Sequence, residues 1–350
     1  MAAQRNRPKS AVPGELTLLA RIRARAAQTA HPDLLLGIGD DCALLRPDPG
    51  DDVAITTDLS IAGRHFRLDW HPPESVGHRT LARGLSDLAA MGARPIAAFL
   101  SLGLPPTLVQ REKGREPWID RFLDGFLALA RAHRTVLAGG DLAESPIPLA
   151  DIVLTGSVPR GKALLRSGAS SGDLLYVTGT LGASAAALAR LSQLAQVFAR
   201  SRSKAQASAL PPIPARLKAL LAPHLYPKPR IPQGLWLAEH SLATAAIDLS
   251  DGLSTDLAHI CRESGVAAEL DQASLPIYPD ATLAQALHGG EEYELLFTAP
   301  PAASVPAAIE GVPVTRIGRV VAAAPDRPPV TLVTAKGAEP LPPQGWQHFS

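Results

Sequence analysis

The sequence predicts an α+β protein with two domains. Its 350 residues are enough for about two domains of ordinary size, and a content of 46% hydrophobic and 19% charged residues is typical of globular proteins. Short apolar or β-branched runs bounded by Gly, Asp or Pro occur between stretches of helical periodicity. Because runs of strands and runs of helices follow one another without strict alternation, we expect an α+β arrangement.

The individual elements follow from these local patterns. Helical periodicity is found over residues 15–25, 76–91, 117–133 and 254–264. The second of these helices carries Leu81, Leu85 and Leu88 on one face. Gly92 follows it as a stop signal. Strands are predicted at residues 34–38, 53–57, 135–138, 152–156, 174–178 and 244–249.

The domain boundary is predicted near residues 159–167, where Pro, Gly and Lys separate two strand patterns. We therefore expect an N-terminal domain over residues 1–158 and a C-terminal domain over residues 159–350. The segment 191–222 is rich in Ala, Ser, Arg and Pro, and we expect a helix followed by a mobile loop there, as a flexible insertion.

Charge and cysteine content exclude several classes of function. The net charge is +1, from 34 basic and 33 acidic residues, which argues against nucleic acid or an anionic membrane as a partner. Only Cys42 and Cys261 occur, so there is no disulfide framework and a reducing compartment is expected. No apolar run approaches the roughly 20 residues needed to span a bilayer. The N-terminus lacks the apolar block of a signal peptide, so we expect a cytoplasmic protein.

Two nucleotide-binding signatures fail on inspection. The segment GSVPRGK at residues 156–162 begins like a P-loop, but Ala163 stands where Ser or Thr should bind Mg²⁺. Pro159 also removes a backbone N–H that such a loop directs at phosphate. A dinucleotide fingerprint begins at Gly37 and Gly39 but lacks its third glycine.

Carboxylates at the predicted strand ends form a more informative pattern. A single Asp after a strand is most often a turn former or a helix N-cap, and we interpret Asp256 in that way. Several such sites beside glycine or hydroxyl residues would repel one another if the fold brought them together, unless cations neutralised them. Mg²⁺ takes hard oxygen ligands and binds nucleotide phosphates alongside carboxylates. The residues in this pattern are Asp40, Asp41, Asp58, Asp87, Asp141, Asp248 and Asp251. They predict a magnesium-dependent phosphate-handling site without a P-loop.

The same segments resemble, in order and spacing, the thiamine-monophosphate kinase family of the aminoimidazole-ribonucleotide-synthetase-like superfamily. Each motif alone is modest, but the ordered set is specific and covers nearly the whole chain except residues 191–222. The matching stretches are GIGDDCALL (37–45), TTDLSIAGRHF (56–66), LSDLAAMGARP (85–95), AGGD (138–141), RSGASSGDLLYVTGTLG (166–182), AIDLSDGLSTDLAHI (246–260), GGEEYELLFT (289–298) and GWQHF (345–349).

This resemblance implies an N-terminal domain that forms a homodimer through its sheet, a C-terminal α/β domain, and ATP bound in the cleft between them. It implies transfer of a phosphoryl group from ATP to thiamine monophosphate with Mg²⁺, the last step in making thiamine diphosphate. The positions that match Mg²⁺ ligands are Asp41, Thr56, Thr57, Asp58, Asp87, Asp141, Asp248 and Asp251. Those that match ATP contacts are Gly140, Asp141, Arg166 and Ser250, and those that match the thiamine-phosphate pocket are His65, Glu291 and Trp346.

Asp58, Asp87 and Arg166 are the predicted catalytic residues, with Arg166 as a stabiliser of charge on the ATP phosphates. The acceptor is a phosphate monoester whose second pKa is near 6, so its oxygens are nucleophilic at neutral pH without a general base. The difficulty is the approach of two polyanions, which bound Mg²⁺ would ease during in-line transfer.

The sequence departs from the family pattern at Arg64, Gly84 and Glu292, and the segment 191–222 is longer than usual. Two alternatives stay open. One is another ATP-dependent member of the superfamily, such as a selenophosphate or aminoimidazole-ribonucleotide synthetase. The other is a scaffold that binds Mg²⁺ or nucleotide without catalysis.

Overall fold

The computed structural model describes residues 14–111, 114, 116–201 and 213–347. The α-helices are α1 Glu15–Ala26, α2 Pro73–Ala90, α3 Pro106–Val109, α4 Trp118–Ala132, α5 Ala183–Ser201, α6 Ala215–Leu225, α7 Ile231–Glu239, α8 Leu253–Ser264 and α9 Leu283–His288. The strands are β1 Leu34–Leu36, β2 Leu44–Leu45, β3 Asp51–Ile61, β4 Arg94–Leu104, β5 Val136–Glu144, β6 Leu149–Pro159, β7 Leu174–Thr178, β8 Ala245–Asp248, β9 Val266–Asp271, β10 Leu295–Ala299, β11 Ala308–Ile309, β12 Val312–Ala322, β13 Val330–Thr334 and β14 Gly337–Pro340. The predicted α+β class is confirmed.

The first sheet has the strand order β3–β6–β4–β5. β6 is antiparallel to both of its neighbours, and β4 and β5 run parallel. Helices α2 and α4 cover one face of this sheet, with Phe122 and Phe126 of α4 fully buried against Leu81 and Leu85 of α2. The apolar spacing that predicts α2 is therefore the stripe that the sheet and α4 bury.

The second sheet contains β14–β13–β9–β12–β7–β10–β8, with β11 paired to β12. Neighbouring strands in this sheet are antiparallel, except that β13 and β9 run parallel. Helix α8 packs on β8, β9 and β13. Leu253, Leu257 and Ile260 line its buried side, so this sheet has a core of its own.

Helix α2 packs between the two sheets. It contacts β3 and β6 of the first sheet on one side, and α7 and β8 of the second part of the chain on the other. The approach of α7 is close, since a Cβ at Gly234 would lie 1.9 Å from the carbonyl oxygen of Ala89. Side chains on α2 can therefore reach residues of both sheets, and this is what positions the candidate site.

The predicted elements occur, several with longer bounds. The strand predicted at residues 53–57 extends over Asp51–Ile61, and that at 135–138 extends over Val136–Glu144. The strands β2 and β4 and the strands after β8 were not predicted. Residues 191–201 belong to α5 and residues 215–222 to α6, so the segment expected to be a flexible insertion is helical at both ends. Residues 202–212, and His348 and Phe349 of the last motif, lie outside the described residues. No α-helix in the described part of the chain is long and apolar enough to cross a membrane.

Candidate functional site

Carboxylates from three elements approach one another beside α2. The Thr56 hydroxyl on β3 donates a hydrogen bond to Asp87 Oδ2. The Ser86 hydroxyl donates one to Asp248 Oδ2 at 2.6 Å, which links α2 to the end of β8. Because Ser86 and Asp87 are adjacent in α2, these bonds bring Thr56 of β3 and Asp248 of β8 to the same part of that helix.

The three carboxyl groups nearest this junction have raised pKa values. Burial, together with the negative charge of Asp87, raises the pKa of Asp58 to about 7. Burial and Asp87 raise the pKa of Asp248 to about 7 as well, and burial raises that of Asp87. The ionised carboxylates repel one another in a poorly solvated place, so a bound cation would stabilise them. Because every donor is an oxygen atom, the set fits Mg²⁺.

A cavity of about 550 Å³ opens beside these carboxylates. Four predicted site residues line it: Thr56, Asp87, Arg166 and Asp248. The loop that carries Arg166 is fixed to the end of α8, because Ser264 Oγ donates to the carbonyl of Arg166 at 2.9 Å and accepts from Gly168 N at 3.2 Å. Burial raises the pKa of Asp87, and the positive charge of Arg166 opposes part of this rise.

A second cavity, of about 570 Å³, lies where the segment 63–71 faces the end of β8 and the loop 289–291. It brings together all three residues predicted for the thiamine-phosphate pocket with two predicted for ATP and Mg²⁺: His65, Glu291, Trp346, Ser250 and Asp251. Phe66, Trp70 and Leu188 give it apolar walls, while Arg64, Arg67 and Arg83 add positive charge. A ligand with flat apolar rings and an anionic end suits this lining.

Glu291 is held by a buried cation. Arg79 of α2 is 5% exposed and donates from Nη2 to Glu291 Oε1 at 2.6 Å. Burial by itself would raise the pKa of Glu291, but the Arg79 guanidinium outweighs it and holds that pKa at about 2. Glu291 is therefore ionised and oriented at neutral pH. Arg79 also donates to the carbonyl oxygen of His224 on α6 at 2.7 Å, so α6 takes part in this arrangement.

The other two carboxyl groups of the loop 289–294 are also fixed. Glu292 Oε1 accepts from Ser184 N at the start of α5 at 3.0 Å. Glu294 accepts from Thr178 Oγ1 at 2.6 Å and from the guanidinium of Arg230. Glu292, one of the departures from the family pattern, thus serves the helix start and not the cavity.

Trp346 is placed in the cavity by its backbone. Trp346 N donates to the carbonyl oxygen of Asp251, and Gly345 N donates to Thr255 Oγ1, both at 3.1 Å. The tryptophan is 49% exposed and lines the cavity. The C-terminal motif is therefore anchored on the loop that carries Ser250 and Asp251.

The remaining predicted ligands lie elsewhere in the chain. Asp41, Gly140 and Asp141 line a separate cavity of about 440 Å³. Asp141 lies on β5 and pairs with Ser101 of β4. The strands β4 and β6 lie between β5 and β3, so Asp141 is three interstrand spacings, or roughly 14 Å, from β3. The structure does not bring these three residues to Thr56 and Asp87 within one chain.

Thr57 also lies apart from the cluster. Successive side chains of a strand point to opposite faces, so Thr56 and Asp58 face α2 while Thr57 is exposed on the other face. The shared motif places the two threonines together in sequence, but strand geometry separates their side chains.

The residue interpreted as a turn former, Asp256, is part of the same region. Its Oδ2 accepts from Asp251 N at 3.1 Å and from Gly252 N at 3.0 Å, which fixes the loop before α8. Among the residues that the structure describes, Asp251, Asp256 and His259 form a group whose potential ligand atoms all lie within 4.8 Å of one another. Asp58, Asp87 and Asp248 form no group as close as this.

Arg79, Arg83 and His224 were not predicted as site residues, whereas Arg166 was. Arg83 and Arg79 stand four and eight residues before Asp87, on the same side of α2. His224 was missed because it follows a segment interpreted as an insertion. The signal available in the sequence was an arginine at helical spacing from a predicted metal ligand.

The chain matches two adjoining family models. Residues 39–158 match the N-terminal domain of AIR synthase related proteins, and residues 170–328 match the C-terminal domain of the same proteins. These matches include nearly all of the first sheet and most of the second, and they leave out β13, β14, Arg166 and Trp346. The molecule is thus of the AIR synthase related class.

Similarity to individual proteins identifies the family within this class. The chain is 41% identical over 321 residues to the thiamine-monophosphate kinase of Escherichia coli (strain K12), which covers 88% of this chain and 91% of that protein. The crystal structure of thiamine-monophosphate kinase from Stenotrophomonas maltophilia K279a superposes with a TM-score of 0.74 at 38% identity, covering 91% and 96% of the two chains. The structure of AaThiL complexed with AMPPCP and TMP gives a TM-score of 0.68 at 27% identity, covering 96% and 97%. The chain belongs to the thiamine-monophosphate kinase family.

Proposed function

We propose that this protein transfers the γ-phosphoryl group of ATP to thiamine monophosphate and releases thiamine diphosphate and ADP. The observation that carries the proposal is that neighbouring residues of the same two segments line the 550 Å³ and 570 Å³ cavities, so that these segments form a wall between them. Asp248 lines the 550 Å³ cavity, while Ser250 and Asp251, two and three residues further on, line the 570 Å³ cavity. In the same way α2 sends Asp87 to the first cavity and Arg83 to the second. A donor phosphate in one cavity and an acceptor phosphate in the other would meet at this shared wall.

The polar side chains of the two cavities suit two different ligands. In the 570 Å³ cavity the ionised Glu291 and the half-exposed Trp346 fit the thiazolium cation and flat rings of thiamine. In the 550 Å³ cavity Arg166 stands beside the carboxylates, where it can stabilise negative charge on the phosphates of ATP. The acceptor phosphate is nucleophilic at neutral pH, so the site needs no general base.

Magnesium belongs to the proposal as the cofactor. Asp58, Asp87 and Asp248 would hold it, with Asp251 close by. The bound ion would screen the charges of the two phosphate groups and align them. The hydrogen bonds from Thr56 and Ser86 orient Asp87 and Asp248 and favour their ionised forms, against the burial that raises the pKa of both carboxyl groups.

We propose further that the protein is a homodimer formed through its first sheet. The outer face of β3 exposes Val53, Ile55 and Leu59 at 50%, 66% and 45%. An apolar row on an edge strand is a site for association, and a second copy of the chain supplies a matching row. A Val53→Asp variant that stays dimeric in sedimentation experiments would contradict this arrangement.

A cytoplasmic location completes the proposal. Both cysteines are free thiols, and Cys42 is exposed, which is typical of proteins in a reducing compartment.

The decisive experiment measures thiamine diphosphate and ADP together by chromatography, with ATP, MgCl₂ and thiamine monophosphate as substrates. Equal amounts of both products are expected. Free thiamine in place of thiamine monophosphate is the matched control, and it should give neither thiamine monophosphate nor ADP above background. ATP consumption that is independent of the acceptor would contradict the proposed reaction.

A further inference from the structure

Helix α2 places three charged side chains in a row. Arg79, Arg83 and Asp87 are spaced by four residues, so each lies about 6 Å further along the helix than the one before. Arg79 contacts Glu291 at one end of the row, and Asp87 contacts Thr56 at the other. Arg83 is the residue between the pocket for the thiamine rings and the carboxylates.

We propose that Arg83 binds the phosphate group of the acceptor and holds it at the wall between the two cavities. The inference rests on the proposed function, since it assigns a role within the same site. Arg83 lines the 570 Å³ cavity, and its side chain is 19% exposed. A phosphate monoester that reaches from Glu291 toward Asp87 passes this guanidinium.

The hydrogen bonds of Arg83 leave most of its donors available. Nη1 donates to Ser60 Oγ at 3.2 Å and weakly to the carbonyl oxygen of Leu59 at 3.5 Å. Nε lies 3.7 Å from Asp58 Oδ1, which is an ion pair but too long for a hydrogen bond. A guanidinium has five N–H donors, and the others donate to no acceptor among the described residues. Two of these in parallel match the oxygens of a phosphate.

The other arginines of this part of the chain are less suited to the task. Arg67 is already in a two-bond pair with Asp69, at 3.0 and 2.9 Å, and its side chain is 51% exposed. Arg64 is exposed at the cavity rim, where water weakens its attraction for an anion. Arg79 is engaged by Glu291 and by two carbonyl oxygens. Arg83 therefore combines partial burial with unused donors.

The test compares binding of thiamine monophosphate with binding of thiamine, by titration calorimetry with MgCl₂ and without ATP. The two ligands differ only in the phosphate, so the ratio of their dissociation constants isolates its contact. Arg83→Met should weaken thiamine monophosphate about 10- to 100-fold, as expected for a lost charge-assisted pair, and should leave thiamine within about twofold. Arg83→Lys keeps the charge without the fork and should lose less.

Arg319→Met, at an exposed arginine that pairs with Glu269 outside the cavities described, is the control, and its ratio should equal that of the wild type. Melting temperatures identify a variant that fails to fold, in which case Arg83→Lys carries the test. An equal loss for both ligands in Arg83→Met, or a collapse of the ratio in Arg64→Met but not in Arg83→Met, overturns the proposal. Because no turnover is measured, a wild-type protein that binds thiamine monophosphate through Arg83 but makes no thiamine diphosphate would refute the proposed reaction alone.

Discussion

Removal of the Trp346 ring should weaken the binding of thiamine monophosphate without slowing its phosphorylation. A cation over an indole contributes roughly 0.5–1 kcal/mol when exposed and about 2 kcal/mol when desolvated. Trp346 is 49% exposed in the free protein, and a ligand would cover part of that surface, so we expect about 1 kcal/mol. This corresponds to an increase in KM of about fivefold, within a range of roughly three- to thirtyfold.

The assay is steady-state turnover of Trp346→Ala, with each substrate varied at saturation of the other. The contact is similar in the ground state and the transition state, so kcat and the KM for ATP should hardly change. The hydrogen bonds that anchor this segment come from backbone N–H groups, so the variant should fold. Trp346→Phe, which keeps an aromatic ring, is the control and should lie close to the wild type. A large fall in kcat at unchanged KM would refute the reasoning, and so would equal weakening of both substrates with a lower melting temperature.

Three further predictions concern the metal site, the buried histidines and the segment between α5 and α6. Asp58→Asn and Asp87→Asn should each lower kcat at least about a hundredfold at saturating Mg²⁺, because a ligand of the cation is lost; near-normal turnover of the folded variants would exclude this role. Burial lowers the pKa of His71 from 6.5 to about 3, so the unfolded chain takes up a proton below pH 6.5 that the folded protein does not, and stability is lost as the pH falls. Between pH 7 and 5 this costs roughly 2 kcal/mol of unfolding free energy, and urea titrations should show a shallower pH dependence for His71→Gln than for the wild type. Replacing residues 201–214 by a short Gly/Ser linker should leave turnover unchanged, since no predicted site residue lies there and loop length has little effect on closure entropy; a folded but inactive variant would assign a role to this segment.

Local patterns in the sequence were sufficient to predict the class of the fold. The strand at residues 174–178 has the predicted bounds, because its apolar run is short and has turn signals at both ends. The strand β4 escaped prediction because its residues, buried on both faces, form a continuous apolar run without alternation. Periodicity alone cannot distinguish such a strand from a buried helix.

The division of the site among separate cavities could not be read from the sequence. Motif order places Thr56, Thr57 and Asp58 together, but strand alternation turns Thr57 away. The distance between Asp141 and β3 depends on the order β3–β6–β4–β5, which is a property of the whole sheet. The roles of Arg79 and His224 also depend on tertiary contacts. The two residues are 145 positions apart in the chain, and Arg79 donates a hydrogen bond to the carbonyl oxygen of His224 in the fold.

The loop 289–294 shows how the substrate pocket depends on the complete fold. Glu291 and Tyr293 have φ values of 62° and 55°, in the left-handed region that non-glycine residues avoid at a cost of about 1–3 kcal/mol each. Hydrogen bonds to three distant parts of the chain offset this cost, since Arg79, Ser184 and Arg230 each donate to one carboxyl group of the loop. The conformation of the loop that presents the ionised Glu291 therefore depends on contacts with α2, with the start of α5 and with the residue before α7. Glu292 makes one of these contacts by accepting the hydrogen bond from Ser184 N at the start of α5, and this is its structural role in the motif.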